Sequence, residues 1–169
     1  IFSNKAQIGD DIIVAVDLDG QFHEKFQYAW DTTSHKSADQ VQANCKMMRT
    51  IAQKKLVHAA KDISNPGMVG TLGMLLDASN KGGILDVTKI PMIENVPLQQ
   101  WLCSYPGFGI ILTCHPSNSR EIIQIFEKNQ ISAAVCGSVN GTHSLDICDN
   151  KEEALVLDLK ENRISGIPK

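Results

Sequence analysis

Two short polar runs in the chain bring together residue types that can do chemistry. The first is Asp31-Thr32-Thr33-Ser34-His35-Lys36, an acid, three hydroxyls, an imidazole and a cation in six positions. Hydroxyls donate to phosphate oxygens, an imidazole carries a proton near neutrality, and an ammonium offsets negative charge. The run therefore suits phosphate binding or the positioning of a proton donor; the plain alternative is a solvated loop ahead of a helix. The second run is Asp62-Ile63-Ser64-Asn65-Pro66-Gly67, which reads as strand end, polar turn and helix start. Asn65 suits an N-cap and Pro66 the first helical position. Open N–H groups and the dipole at such a start favour an anion. Ser64 and Asn65 can donate hydrogen bonds, and Asp62 can face a metal or a substrate hydroxyl. No glycine-lysine-hydroxyl triplet follows, so this is not a nucleoside-triphosphate loop of the Walker type. Here the alternative is an ordinary capped core helix.

Other constellations carry less. Ser34, His35 and Asp31 contain the residue types of a hydrolytic triad, but near neighbours rarely aim at one another and no G-x-S-x-G elbow is present. Cys114-His115 follows an apolar strand, where adjacent side chains point to opposite faces. It reads as a core cysteine beside a surface histidine. His23, His58 and His143 stand singly and read as structural or exposed. Asp10-Asp11 and Asp17/Asp19 flank an apolar strand and its turn, and read as solvated acids. No metal site is expected within the chain.

The elements that must position these runs follow from periodicity. Residues 12–16 (Ile-Ile-Val-Ala-Val) are a short β-branched strand, stopped by Asp19-Gly20. Phe22, Phe26, Tyr28 and Trp30 recur at even spacing, as on one side of a partner strand. Ser37 and Gln40 form a capping box, opening a helix whose apolar face is predicted as Val41, Cys45, Met48 and Ala52. That helix ends near Lys54-Lys55, and residues 56–60 form a strand leading to Asp62. The helix after Pro66 is apolar on nearly all sides, so it is buried. Gly70 and Gly73 each cost it about 1 kcal/mol relative to Ala, which implies close packing or an approaching ligand. Gly82-Gly83 closes it, and a strand follows at residues 84–87. Pro97 opens a short helix through Trp101-Leu102, and Tyr105-Pro106-Gly107 turns into a buried strand at 108–113. Asn118 and Glu121 resemble a second capping box, with Ile122, Ile123 and Phe126 as the inner face. Residues 133–136 are expected to pair with 145–148 through an Asn140-Gly141 turn, and a late strand spans 155–159. This order of β and α elements indicates two or more layers around a mixed sheet.

A chain of 169 residues suits a single domain, 1–169, with a core large enough to need no staple. Its net charge of −3 and 5% aromatics give no basic stripe with stacking rings, which excludes nucleic-acid binding as its main purpose. No apolar run is long enough for a membrane helix. The five cysteines are odd in number, widely spaced and without a C-x-x-C pair, which argues for a reducing cytoplasm rather than a disulfide framework. Ile1 in place of an initiator Met suggests a chain cut from something longer.

In order and spacing, three blocks resemble the C-terminal domain of AIR synthase relatives. The group includes aminoimidazole ribonucleotide synthetase, formylglycinamidine ribonucleotide synthetase, selenophosphate synthetase and thiamine-monophosphate kinase. The blocks are residues 9–16 (Gly-Asp-Asp-Ile-Ile-Val-Ala-Val), residues 62–70 (Asp-Ile-Ser-Asn-Pro-Gly-Met-Val-Gly) and residues 105–139, which end in Gly137-Ser138-Val139. The nearest group is the AIR-synthase-related proteins. The resemblance implies an α/β (α+β) fold, three layers α/β/α with a mixed sheet, partly ferredoxin-like. It implies an ATP-dependent enzyme that activates an oxygen of a small-molecule substrate by phosphoryl transfer. ATP and Mg2+ would be bound mainly by a separate N-terminal domain, through which the full-length protein would form a homodimer.

Carried over by position, Asp62 matches the family aspartate and Ser64 the hydroxyl after it. Where the thiamine-phosphate kinases have a metal-proximal aspartate followed by glycine, this chain has Asn65 and Pro66, with Gly67 one step later. The 31–36 run falls where purine-pathway members have a substrate loop. The resulting expectation makes Asp62, His35 and Lys36 catalytic, and Thr32, Thr33, Ser34, Ser64, Asn65 and Gly67 substrate- or phosphate-binding. The domain alone would be inactive. The rival reading is a non-catalytic dimerisation or metabolite-binding module.

Overall fold

The computed structural model describes residues 1–160 and Ile164. In chain order the elements are β1 (Asp11–Val16), β2 (Gln21–His23), β3 (Phe26–Asp31), α1 (Ala38–Gln53), β4 (Ala59–Asp62), α2 (Gly67–Ser79) and β5 (Gly82–Asp86). Then follow α3 (Leu98–Cys103), β6 (Tyr105–Pro106), β7 (Gly109–Cys114), α4 (Pro116–Lys128), β8 (Ser132–Asn140), β9 (Ser144–Cys148) and β10 (Glu153–Asp158).

Residues 12–16 of β1 have no solvent-exposed surface. Because a strand's side chains alternate, Ile12, Val14 and Val16 enter one apolar cluster, and Ile13 and Ala15 the other. Such a strand needs cover on both faces. α2 and α3 cover the first with Met68, Leu72, Leu75, Leu76 and Trp101. α1 and α4 cover the second with Met47, Ile51, Ile122 and Phe126. The result is the expected three-layer α/β/α sandwich.

The main sheet has seven strands in the order β10-β9-β5-β8-β1-β7-β4. All neighbours are antiparallel except β5 and β9. Within it, β1-α1-β4 and β7-α4-β8 form the order β8-β1-β7-β4, with both helices on one face. That is the split βαβ arrangement of a ferredoxin-like unit. A second sheet, β2-β3-β6, projects from the end of β1. Trp30 fastens it by an edge-to-face contact with Trp101, at a centroid distance of 5.6 Å, and by donating from Nε1 to the Asp17 carbonyl at 3.0 Å.

Several local expectations are corrected. β8 and β9 reverse direction around Asn140-Gly141 but do not pair, because β5 lies between them. The four steps from Asn140 to Ser144 reach at most about 13 Å, enough to cross two strand spacings of about 4.8 Å. The Asn140 carboxamide oxygen accepts from Thr142 N and Oγ1 and caps the turn over Gly82, where a Cβ would lie 2.6 Å from that oxygen. The buried face of α1 is Met47 and Ile51 with Met48 beside them, while Cys45 is exposed, a rotation of one position from the predicted stripe.

α4 starts at Pro116, with His115 as the cap accepting from Ser117 N. Asn118 instead donates to the Leu56 carbonyl, and Glu121 pairs with Lys54. α2 ends at Ser79 with Asn80 left-handed, and Gly82 and Gly83 already belong to β5. The Ser37–Gln40 capping box is present in full. Gly70 and Gly73 have packing reasons: a Cβ on Gly70 would collide with the Pro66 ring, and one on Gly73 would meet Leu157 at 2.5 Å.

Leu75 is fully buried in the cluster beneath α2. Leu75→Ala should lower the unfolding free energy by about 2–5 kcal/mol. Ser37→Ala, which removes only the cap, should cost about 1 kcal/mol. Urea titration of the two variants beside the parent checks both the values and their order.

Candidate functional site

β1 and β4 are parallel to each other and separated only by β7, so both end at the same edge of the sheet. Asp17 N donates to the Phe108 carbonyl at 3.1 Å and Ile63 N to the Gly109 carbonyl at 2.9 Å. The Gly107–Gly109 stretch is thus the bridge between the two polar runs. On its other side, Gly107 N donates to the Trp30 carbonyl at 2.8 Å, and a Cβ there would lie 2.9 Å from Thr32 Oγ1. The 31–36 and 62–67 runs therefore share one end of the domain.

Inside the first run, Asp31 organises the turn. Its Oδ1 accepts from Thr33 N at 2.9 Å, Ser34 N at 3.0 Å and Thr33 Oγ1 at 3.2 Å. Hydrogen bonds from Ser34 and Thr33 hold the Asp31 carboxyl well below the usual carboxylate range. Thr33, Ser34 and His35 are exposed, whereas Thr32 is 1% exposed and its Oγ1 has no partner among the described residues. Such a hydroxyl is out of reach of a ligand unless the loop moves, which corrects the expectation of Thr32 as a ready contact.

Lys36 bonds to the buried Asp17 carboxylate and donates to the Asp19 carbonyl at 3.1 Å; the Asp19 carboxylate is 3.4 Å away. His35 Nε2 lies 3.4 Å from that same carboxylate. His35 and Lys36 together lower the Asp19 pKa. Two readings are corrected here. Asp17, at 2% exposure, is not a solvated acid, and neither is Asp10, also 2% exposed, which bonds His58 Nδ1 at 2.8 Å. Lys36 is likewise not an open cation awaiting phosphate, because its charge already compensates a buried carboxylate. The missed signal was the position of Asp10 and Asp17 on either side of a strand whose residues 12–16 are all apolar and buried, where chain geometry leaves little water.

In the second run, Asp62 and Asn65 are exposed and Ser64 half-buried, and their side-chain polar atoms have no partner among the described residues. Asn65 is not the helix cap. α2 begins at Gly67 after Pro66, with no side-chain cap. Gly67 N donates to the Ser64 carbonyl at 2.6 Å, so that amide closes a turn and is not open to an anion. Gly67 has φ +78°, and a Cβ would stand 2.5 Å from the Leu102 carbonyl. Both the turn and the end of α3 therefore require glycine. The solvent-accessible polar groups of this run are Asp62, Ser64 and Asn65. Among the described residues no group of three or more His, Cys, Asp or Glu is arranged to hold a metal ion.

A mixed seven-stranded sheet between helix layers, with paired polar loops at one end, defines an AIR-synthase-type α/β domain. The family model for AIR synthase related protein, C-terminal domain, matches residues 16–149, and the chain belongs to that family. An uncharacterised protein of Methanocaldococcus jannaschii is 46% identical over 97% of this chain and 51% of its own length. One from Synechocystis is 30% identical over 98% of this chain and 52% of its own length. The chain thus spans about half the length of these curated relatives.

Among solved structures, phosphoribosylformylglycinamidine synthase II of Thermotoga maritima superposes with a TM-score of 0.79 at 14% identity. The match covers 95% of this chain and 27% of that one. The hydrogenase maturation protein HypE in complex with ATP superposes with a TM-score of 0.71 at 12% identity, over 94% of this chain and 53% of that one. At these identities the likeness is one of fold. No helix among the described residues is long and apolar enough to cross a membrane.

The depressed Asp31 and Asp19 pKa values set the sign of an acid response. Each carboxylate contributes stability above its unfolded pKa of about 3.9, and loses it as pH falls through the lower folded value. Asp19 is exposed and Asp31 only half-buried, so the effect is small and screened by salt. Asp31→Asn should flatten the acid limb of a melting-temperature profile below about pH 4 and leave the neutral region parallel to the parent. An unchanged acid limb would mean that Asp31 does not hold the turn.

Proposed function

We propose that this chain is the substrate-side domain of an ATP-dependent enzyme that activates an oxygen of a small substrate by phosphoryl transfer. The observation that carries the reading is the shared end of the sheet. The 31–36 loop and the Asp62, Ser64, Asn65 group both flank the Gly107–Gly109 bridge, so one ligand can touch both. Support also comes from the family and from the relatives of known fold, one of which was solved with ATP.

Asp62 and the Ser64 hydroxyl would orient the substrate, with Asn65 donating to an anionic group. Thr33, Ser34 and His35 would approach from the other side. Asp31 and Lys36 act through the loop they shape. Asp62 alone is a poor Mg2+ site, since that ion takes its carboxylates together with phosphate and water in an octahedral set. ATP and Mg2+ would accordingly be held mainly by residues outside this chain, in an N-terminal domain that also makes a homodimer. Phosphoryl transfer depends on positioning and charge compensation, so a domain that only orients substrate is a sensible half of such a site.

The test uses the intact protein. Substituting Asp62→Asn and Ser64→Ala together should reduce substrate-dependent ATP consumption by about a hundredfold or more. Lys5→Ala, at the exposed N-terminal segment, should leave it unchanged. The 169-residue chain by itself should not turn over ATP. Steady hydrolysis by it, abolished by one substitution within it, would overturn the half-site reading. Full activity in the double variant would favour a regulatory module instead.

A further inference from the structure

A cleft of about 190 Å³ opens beside the Lys36 anchor, and no residue of the 62–67 run lines it. Three structures wall it: the end of β1 with Asp17 and Asp19, the first two turns of α1 with Gln40 and Asn44, and the end of α4 with Lys128 and Gln130. α1 and α4 pack through Met47, Ile51, Ile122 and Phe126. The cleft lies beside the start of α1 and the C-terminal end of α4.

Its polar groups are incompletely used. Among the described residues, the side chains of Asn44, Lys128 and Gln130 have no hydrogen-bond partner, and Gln40 spends only its carbonyl oxygen, on the Ser37 capping box. Asp17 is fully occupied by Lys36 and by the Asp19 amide. The charges left over are the Asp19 carboxylate, 76% exposed and only partly met by Lys36 and His35, and the Lys128 ammonium. They come from different walls and have opposite signs. The last carbonyls of α4 add the negative end of a helix dipole.

Size then narrows the class. Drug-sized ligands use pockets of about 300–1,000 Å³, and a nucleotide belongs to that larger class. We infer that this cleft binds a small zwitterion, an α-amino acid or a molecule of like size with one ammonium and one carboxylate. The ammonium lies toward Asp19 and the α4 carbonyls, and the carboxylate toward Lys128 and the Asn44 amide. Gln40 and Gln130 serve whatever polar group the ligand carries beyond these. The inference needs no phosphoryl transfer and stands apart from the function proposed above.

Isothermal titration calorimetry on the intact protein tests it, with L-serine, L-aspartate and L-glutamine as probes and acetate, methylammonium and inorganic phosphate as controls. At least one amino acid should bind in the millimolar range or tighter, and the singly charged controls should bind more weakly. Asn44→Leu and Lys128→Glu should each weaken that amino acid about tenfold, the loss expected for one hydrogen bond to a charged group. Both substitutions are at the surface, and unchanged thermal unfolding shows that the fold is kept. Absence of binding by all three amino acids overturns the inference. So does equal binding of acetate or phosphate, or amino-acid binding indifferent to both substitutions. Loss of ATP consumption in the Asp62→Asn, Ser64→Ala variant with amino-acid binding intact separates this cleft from the Asp62 and Ser64 group.

Discussion

β1 is apolar on both faces for five consecutive residues, and a buried carboxylate stands immediately beyond each end of that run's neighbourhood, Asp10 on one side and Asp17 on the other. A buried charge without a partner costs several kcal/mol, and one that is paired and hydrogen-bonded costs far less. Each acid therefore recruits a distant residue. Asp10 takes His58 from the approach to β4, and Asp17 takes Lys36 from the loop before α1. The pairing at Asp17 drags the 31–36 loop onto the end of the central strand. The Asp31 turn and the Ser37 capping box then fix the residues on either side of it. Loop position is a consequence of strand burial.

That dependence explains which parts of the molecule were legible in its sequence. Strands and helices whose patterns are long and local came through: residues 12–16, the Ser37–Gln40 cap, the buried helix after Pro66, and the strand at 108–113. The three-layer class and the ferredoxin-like portion came from the order of these elements together with the family resemblance. What escaped was set by partners far away in sequence. Nothing around Asn140-Gly141 announces that β5, more than fifty positions earlier, will slide between β8 and β9. The α1 stripe slipped by one position because Val41 and Cys45 look apolar, while contact with Ile122 and Phe126 selects Met47 and Ile51.

The candidate site divides in the same way. Residue types in the 31–36 and 62–67 runs marked both loops, and the sheet brings them to one end. Roles inside the loops were less legible, because a role depends on who else is present. Lys36 read as a cation for phosphate only while Asp17 was read as solvated. Gly67 read as an opening only while its φ and the nearby end of α3 were unknown. Asn65 read as a cap because Pro66 was taken as helical, and its amide is instead left facing outward.

These changes alter the chemistry the domain can offer. With Lys36 bound to Asp17, the 31–36 and 62–67 runs themselves contain hydroxyls, amides, one imidazole and the Asp62 carboxylate, but no uncommitted cation. A phosphoryl group in transit carries charge over three oxygens, and its stabilisation requires positive groups or metal ions at close range. Hydroxyls and amides can orient a neutral or partly charged substrate, yet they cannot supply that compensation. On physical grounds the positive charge must come from outside these two runs: from metal-bound nucleotide, from another domain, or from a neighbour such as Lys25, which shares a pocket with Asp31 and Ser34. The relatives are about twice the length of this chain, which leaves room for such a contribution. Under the proposed function, this end of the sheet would orient the substrate, and whatever faces it would supply most of the charge neutralisation.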